Sequence, residues 1–276
     1  MDTHSIYRIC FFAGVISLMM SWEFFFPKRA LTVGRSRWIG NLGIAAINTL
    51  TGRFIVPMVP VAAAGLAVRH GWGILNMVPV PEWAGILIGM TFLDMALYVQ
   101  HVLLHAVPSL FRIHMMHHAD HDIDATTGIR FHPVESLLSM GVKLASVLLL
   151  GIPPQGVLAF EILLNGMAMF NHGNVKMPLR VDRILRKVIV TPDMHRVHHS
   201  VCINETNSNF ASVLSLWDHL FGTYRDQPLS GHDAMVIGAS HLREMKWQNI
   251  LWMLALPFIA KPGPYPLGRH GRKPGQ

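Results

Sequence analysis

Histidine is the residue type in this chain with the clearest potential for chemistry. The 276 residues include 17 histidines, and eight of these form three tight groups: His101 with His105, His114 with His117 and His118, and His195 with His198 and His199. Spacings of three and four residues place side chains on one face of a helix. Neutral imidazole is the commonest metal ligand, and two imidazoles one turn apart can bind one ion. Because eight imidazoles exceed what one ion accepts, the sequence predicts two metal ions.

Each group also has a simpler explanation. A pair such as His101 and His105 is more often the polar end of a helix than a pair of ligands. Three imidazoles on one face, as at His114, rarely fit an apolar core without partners. The same H-x-x-H-H pattern returns at His195, and this repetition favours metal binding. The residues leave the chemistry open, because imidazoles suit iron, which reduces dioxygen, and also zinc, which supports hydrolysis. The chain has no H-E-x-x-H motif, so a zinc protease of that type would lack its general base.

The composition indicates an integral membrane protein. Apolar residues make up 51% of the chain, charged residues only 14%, and the mean hydropathy is +0.36. The net charge of +7 suits an anionic membrane surface. We expect no nucleic-acid partner, because the basic residues flank apolar spans and form no stripe with aromatic residues between them. The two cysteines, Cys10 and Cys202, exclude a disulfide framework and a cysteine-based metal site.

Four apolar stretches predict membrane-embedded helical segments. The first three cover residues 6–26, 38–68, with kinks at Pro57 and Pro60, and 83–105. No small-residue cleavage site follows the first, so we expect it to be retained. The fourth, 137–170, is interrupted at Gly151-Ile152-Pro153-Pro154. Its two pieces of about fifteen residues are each shorter than a crossing, which predicts a hairpin that returns to the same side.

The charges predict which side each segment faces. Lys28, Arg29, Arg35 and Arg37 follow the first span without an acidic residue, so this connection is expected in the cytoplasm. The histidine groups then also face the cytoplasm. Residues 250–259 are expected to form an interfacial helix, and the Pro- and Gly-rich tail from Lys261 is expected to be disordered. Only five residues precede the first span, so we expect no fused electron-transfer domain there.

The predicted fold is therefore all-α: a polytopic membrane protein with about four membrane-embedded helical segments and a cytosolic helical cap that holds a histidine-rich di-metal site. We expect a single domain over residues 1–276. It would comprise N-terminal membrane helices (1–93), a catalytic region with the histidine motifs (94–224), and a C-terminal interfacial helix and tail (225–276).

The motifs resemble those of the fatty acid hydroxylase and sterol desaturase superfamily. The resemblance covers about half of the chain, roughly residues 94–224, and rests on Asp94-x-x-x-Tyr98-x-x-His101-x-x-x-His105, His114-x-x-His117-His118, Thr126-Thr127-Gly128-x-Arg130-Phe131-His132-Pro133-x-Glu135, Asn171-His172-Gly173-Asn174, His195-x-x-His198-His199-Ser200 and Trp217-Asp218-x-Leu220-Phe221-Gly222-Thr223-Tyr224. It implies a membrane-bound di-iron oxygenase that hydroxylates, desaturates or cleaves a lipid. The implied cofactors and partners are two iron ions, with zinc as an alternative in purified protein, dioxygen, a lipid substrate, and a separate electron donor. The class of lipid stays open.

The resemblance also implies a division of the ligands. One ion would be held by His101, His114, His117, His195 and His198, and the other by His105, His118, His172 and His199. From the residues alone, His172 is equally well explained as a cap in the turn that follows the hairpin. His132, beside Pro133, is expected to be structural or to hydrogen-bond near the site.

Other polar residues are expected to orient the ligands. Asp94 and Tyr98 share a helix face with His101 and His105, and Asn209 and Asp218 are candidates to accept ligand N–H groups. His219 is given no metal role, and the remaining histidines are expected in surface or loop positions: His4, His70, His121, His232, His241 and His270. The alternative function is a metal-binding transporter or storage protein. A transporter should carry ionisable residues at mid-span, whereas these groups lie at helix ends and in the cap, so the enzyme is favoured.

Overall fold

The computed structural model describes residues 3–55 and 60–267. Within these ranges the chain forms thirteen α-helices and, apart from isolated bridges, no β-strand, which confirms the all-α prediction. The helices are α1 (Thr3–Phe25), α2 (Trp38–Ile55), α3 (Pro60–His70), α4 (Glu82–Ala106), α5 (Pro108–His118), α6 (Pro133–Leu150), α7 (Pro154–Asn171), α8 (Leu179–Leu185), α9 (Pro192–His198), α10 (Ile203–Thr206), α11 (Leu216–Leu220), α12 (Gly231–Ala234) and α13 (Ile250–Ile259). The kink expected at Pro57, the side chain of His4 and the whole of His270 lie outside this description.

Four stretches of the described chain are long and apolar enough to cross a membrane: Ile6–Phe25, Gly34–Asn76, Glu82–Ala106 and Pro133–Leu150. The first three agree with the predicted segments 6–26, 38–68 and 83–105, and the second consists of two helices, α2 and α3. The fourth covers only α6, the first half of the predicted hairpin 137–170. α6 has 18 residues because it begins at Pro133, where His132 caps it and proline is favoured. At 1.5 Å per residue α6 spans about 27 Å, close to the thickness of the hydrocarbon. The expectation that this piece of the hairpin is too short to cross is therefore wrong.

The α6–α7 hairpin turns at the end of the bundle opposite the histidines. Gly151 ends α6 with φ +74°, a left-handed conformation that favours glycine. The loop between α3 and α4 approaches this turn so closely that a Cβ on Gly73 would lie 2.1 Å from the Gly151 nitrogen. The start of α6 and the end of α7 both lie at the histidine end, so the hairpin returns to the side on which it began.

The membrane helices pack through small residues and branched apolar side chains. Leu93 of α4, Val147 of α6 and Phe160 of α7 are buried in one cluster with Ile152 of the turn. Gly89 permits this approach, because a Cβ there would lie 2.4 Å from a methyl carbon of Ile152. Close approach at small residues is how helices associate in a membrane, where apolar burial alone does not favour association.

A buried polar network holds the loop between α5 and α6. Arg37, just before α2, pairs with Asp124 and, at 2.6 Å, with Asp120. Arg130 donates to the carbonyl oxygens of Met116 and Trp247 and to the Asn41 side chain. Because Met116 stands inside the second histidine motif, this network fixes that motif against α2 and the C-terminal region.

The C-terminal region packs on the cap. Arg112 of α5 donates to the carbonyl oxygens of Pro257 and Phe258, while Leu251 and Phe258 of α13 keep exposed apolar side chains, as expected of an interfacial helix. A disordered tail was predicted to begin at Lys261, but the chain beyond it is still ordered. Tyr265 is buried against Phe111, and its hydroxyl donates to the Val201 carbonyl. The expected disorder is therefore wrong for residues 261–267.

Candidate metal centre

All nine histidines predicted as ligands come together in the cap. They form a five-residue group and a four-residue group, and within each group one potential ligand atom per residue lies within 4.8 Å of the others. The groups are His101, His105, His114, His118 and His198, and His117, His172, His195 and His199. His101 is half-buried and the other eight are buried. The sequence therefore predicted the members of a compact histidine cluster.

Four chain segments place these side chains. The last turns of α4 carry His101 and His105, and a sharp turn follows at Val107, whose extended conformation is the one favoured before proline. α5 then folds back and brings its histidines against α4. His172 caps the end of α7, and α9 with its next residue adds the last motif.

The structure divides the nine histidines differently from the division that the resemblance implies. His118 Nε2 lies 3.1 Å from His105 Nε2 and 3.2 Å from His114 Nε2, so these three belong together. His172 Nε2 lies 3.1 Å from Nε2 of both His117 and His195. Adjacent residues still separate, as their angle of about 100° on a helix requires. His105 and His118 thus join His101 and His114, whereas His117 and His195 join His172.

Backbone carbonyls fix the tautomer of several rings. The Nδ1 atoms of His101, His117 and His198 lie 2.7–3.1 Å from the carbonyl oxygens of Phe210, Arg130 and Ser208, and His172 Nδ1 lies 2.7 Å from that of Ala168. A carbonyl oxygen only accepts, so each Nδ1 carries the proton and each Nε2 presents a lone pair. This is the arrangement in which metal-binding histidines are held in proteins.

The resulting cluster fits metal ions. The Nε2 atoms of His117 and His172 lie 3.1 Å apart, yet both carry lone pairs and cannot hydrogen-bond each other. Buried ring nitrogens of His198 and His199 have no hydrogen-bond partner among the described residues. Burial, reinforced by the neighbouring His172, also holds the pKa of His117 well below its usual range, which keeps the ring neutral. A cation between the rings would satisfy these lone pairs.

Asp94 and Tyr98 were predicted to orient the ligand rings, but their described hydrogen bonds go elsewhere. Asp94 accepts from the Leu214 backbone N–H at 3.0 Å and from the Trp217 indole at 2.8 Å. The Tyr98 hydroxyl lies 2.9 Å from that of Thr223. These positions of α4 lie beneath α11, so their side chains attach the 214–223 segment to α4. The shared helix face was read correctly, but their partners come from a distant part of the sequence.

Asn209 and Asp218 act through the backbone. Asp218 accepts from the N–H groups of Phe210 and Ala211, at 2.8 and 3.0 Å, and the Phe210 carbonyl in turn accepts from His101. Asn209 adopts a left-handed conformation, φ +53°, that asparagine tolerates, and donates to the Met194 carbonyl. Both residues thus position the loop whose carbonyls hold two ligand rings.

Replacing Asp218 with asparagine should lower the free energy of unfolding by about 1–3 kcal/mol, because an amide has only one acceptor oxygen for two buried N–H groups. Thermal unfolding of the purified protein in detergent measures this loss. Asp233→Asn, a change at an exposed residue, is the matched control and should leave the unfolding temperature unchanged. An Asp218→Asn protein as stable as this control would contradict the assigned role.

His132 and His121 lie outside both groups. His132 Nδ1 caps α6 by accepting from the Val134 N–H, and its Nε2 donates to the Leu254 carbonyl, so its role is structural. His121 Nε2 lies 2.8 Å from the Leu242 carbonyl. The described contacts of both histidines therefore join the cap to the C-terminal region.

Two partners of ligand rings were missed from the sequence. Glu135 of α6 is buried, and one of its carboxylate oxygens lies 2.7 Å from His114 Nδ1. An acidic residue in the first turn of a helix is usually interpreted as an ordinary helix-end charge. The usable signal in the sequence was the position of this acidic residue directly beside an apolar run. The Asn207 side chain accepts from His105 Nδ1 at 3.2 Å and donates to the Tyr265 carbonyl. No sequence pattern marks this loop residue.

The geometry defines the class of protein: a helical membrane protein with two buried histidine groups at the ends of its spans. The sequence model of the fatty acid hydroxylase family matches residues 86–223, which include every predicted ligand. The chain belongs to this family. No solved structure matches it significantly.

The curated relatives are named for lipid oxidation. The chain is 30% identical to the ornithine lipid hydroxylase OlsE of Rhizobium tropici over 64% of its length and 51% of the relative. It is 31% identical to the human alkylglycerol monooxygenase over 54% of its length and 31% of the relative. It is 30% identical to the human cholesterol 25-hydroxylase, over 51% of each chain. The matches thus span about half or less of the length of these relatives.

Proposed function

We propose that this chain is a membrane-bound di-iron oxygenase that hydroxylates or desaturates a lipid. The lipid would be a fatty acyl, sterol or related compound, and the reaction would use dioxygen and electrons from a separate donor. The observation that carries the proposal is the pair of buried imidazole groups whose Nε2 lone pairs face one another. The names of the relatives support a lipid substrate.

The nine histidines would hold the two ions, five at one and four at the other. Iron, when bound, would supply the reduction of dioxygen and the oxidation of a C–H bond; zinc in purified protein would fill the same ligands without redox activity. The chain itself orients and buries the ligand rings. Hydrogen bonds from Nδ1 to a carbonyl, carboxylate or amide oxygen orient six of the nine rings. Burial of the rings keeps them neutral and limits the access of water to the site.

The lipid would approach from the side of His101. Its ring is the half-buried one among the nine, and α4, which carries it, is a membrane span. A substrate chain lying along this span would reach the five-residue group first. A transporter or storage protein is less well supported, because both groups lie at helix ends and in the cap and not at mid-span.

Metal analysis of anaerobically purified protein, combined with mass spectrometry of lipids from cells with and without the gene, tests this proposal. We expect about two irons per chain and a lipid heavier by one oxygen or lighter by two hydrogens. Cells that express His198→Ala serve as the matched control. A protein that retains only zinc, in cells with unchanged lipids, would exclude the oxygenase.

We also propose that the cap faces the cytoplasm, from the positive charges that follow the first span. Single cysteines at Ser36, Met77 and Ser230 test this, in a background in which Cys10 and Cys202 are serine. We expect Ser36 and Ser230 to be labelled from the cytoplasmic side and Met77 from the opposite side. Labelling of the Ser230 and Met77 positions from one side would contradict the hairpin and the shared cap.

A further inference from the structure

The segment that follows α7 exposes apolar side chains outside the membrane spans. Leu179 and Ile184 of α8 are 58% and 68% exposed, and Val188 just after the helix is 60% exposed. Apolar side chains that point outwards from this seven-residue helix are not buried in the core, so they contribute no hydrophobic stabilisation to the fold. Exposed apolar side chains clustered in this way mark a surface that contacts something other than solvent.

The same segment carries exposed cations and no exposed acidic residue. Lys176, Arg180, Arg183 and Lys187 are exposed, whereas its one acidic residue, Asp182, is buried and paired with Arg186. On α8, Arg180 and Arg183 are three residues apart and share a face, and Ile184 lies about 100° further round the helix from Arg183. Lys187 and Val188 follow in the turn after the helix. The exposed side of α8 is thus amphipathic, with a basic edge at Arg180 and Arg183 and an apolar edge at Ile184.

α8 is joined to α11, which extends the apolar surface. The Ser215 N–H donates to the Val188 carbonyl at 3.1 Å, and Ile189 and Leu214 form a bridge. Leu216, Leu220 and Phe221 at α11 are exposed. We call these exposed residues of 176–188 and 216–221 the α8–α11 surface.

This surface adjoins the membrane span formed by α4. Trp217 of α11 lines an apolar groove of about 380 Å³ together with Leu87, Ile88, Thr91, Phe92 and Met95 of α4. α11 therefore rests directly on a helix that is long and apolar enough to cross a bilayer. The apolar edge of the α8–α11 surface continues an exposed apolar face of α4 that includes Leu87 and Ile88.

We propose that the α8–α11 surface lies in the headgroup layer of the membrane that α4 crosses, and that its basic edge binds anionic phospholipid. Interfacial segments place apolar side chains at the acyl boundary and extend lysine and arginine to the phosphates. Basic residues beside a span gain further from anionic lipid. Continuity with α4 favours a bilayer over an acidic protein as the occupant. The inference is independent of the metal chemistry.

A photoreactive benzoylphenylalanine at Ile184 identifies the occupant. The full chain is reconstituted in phosphatidylcholine nanodiscs, with or without phosphatidylglycerol, and adducts are weighed by mass spectrometry after illumination; the same is done with the probe incorporated in cells. We expect lipid adducts in both settings and a several-fold preference for phosphatidylglycerol over its share of the bilayer. The probe at Val236, exposed in a stretch without lysine or arginine from 226 to 242, is the matched control and should give no lipid adduct.

The variant Arg180→Gln/Arg183→Gln/Lys187→Gln should lose the phosphatidylglycerol preference while it keeps the lipid adduct and its metal content. Arg69→Gln, an exposed cation at the other end of the bundle, should change neither. A probe at Ile184 that yields no lipid adduct, or yields protein adducts in cells, would overturn the proposal. A preference unchanged in the triple variant would overturn its anionic part. None of these outcomes depends on whether the protein oxidises a lipid.

Discussion

Alanine at His118 and alanine at His199 are each expected to remove about one metal equivalent and to reduce lipid oxidation below detection, because an open ligand position leaves an ion weakly held. The two substitutions should remove different ions, since His118 lies with His105 and His114, and His199 lies in the group of His117 and His172. Metal analysis of the purified variants and lipid mass spectrometry measure both effects. His70→Ala, at the far end of α3, is the control and should leave both unchanged.

Double variants distinguish the observed division of ligands from the one that the resemblance implied. In the observed division, His117 and His199 share a group, so their double alanine variant should lose about one equivalent, whereas the His118 and His199 double variant should lose about two. The division from the resemblance predicts the reverse. Full metal occupancy and turnover in His198→Ala would contradict the di-metal site altogether.

The membrane part of the fold could be predicted because its signal is local. Apolar length identified these segments without any knowledge of their packing. The start of α6 was missed because apolar residues alone do not reveal a cap: the chain enters the helix at Pro133, four residues before the apolar run that was counted. Tyr265 shows the same limit, since a proline- and glycine-rich composition does not reveal one buried aromatic anchor.

The ligands could also be predicted because they repeat at helical spacing, whereas the groups that hold them could not. The Nδ1 partners of His101, His105 and His114 are a carbonyl at 210, an amide at 207 and a carboxylate at 135. These partners are brought together only by the fold. Asp94 was expected to orient ligands on its own helix face, but its carboxylate instead accepts a hydrogen bond from the Trp217 indole. Spacing along one helix therefore identifies which side chains share a face but not what lies opposite them.

His172→Ala decides between the two explanations that the sequence left open. The ring caps α7 through its bond to the Ala168 carbonyl, but its Nε2 lies 3.1 Å from two other ligand candidates, so we expect it to be a ligand. The variant should then lose about one metal equivalent and its activity, as His199→Ala does. As a cap alone, His172 would contribute about 1 kcal/mol of stability, on the scale of helix caps, and the metal would stay bound.

His172→Asn makes the comparison sharper, because asparagine suits the end of a helix but cannot supply the imidazole nitrogen. If His172 is a ligand, both variants should lose the same metal equivalent, whatever their stability. If it is only a cap, asparagine should restore the unfolding temperature lost in the alanine variant, and both proteins should stay fully loaded and active. Metal content and thermal unfolding, measured on the same preparations, separate these results. Full occupancy in both variants would remove His172 from the four-residue group and leave His117, His195 and His199 to hold that ion.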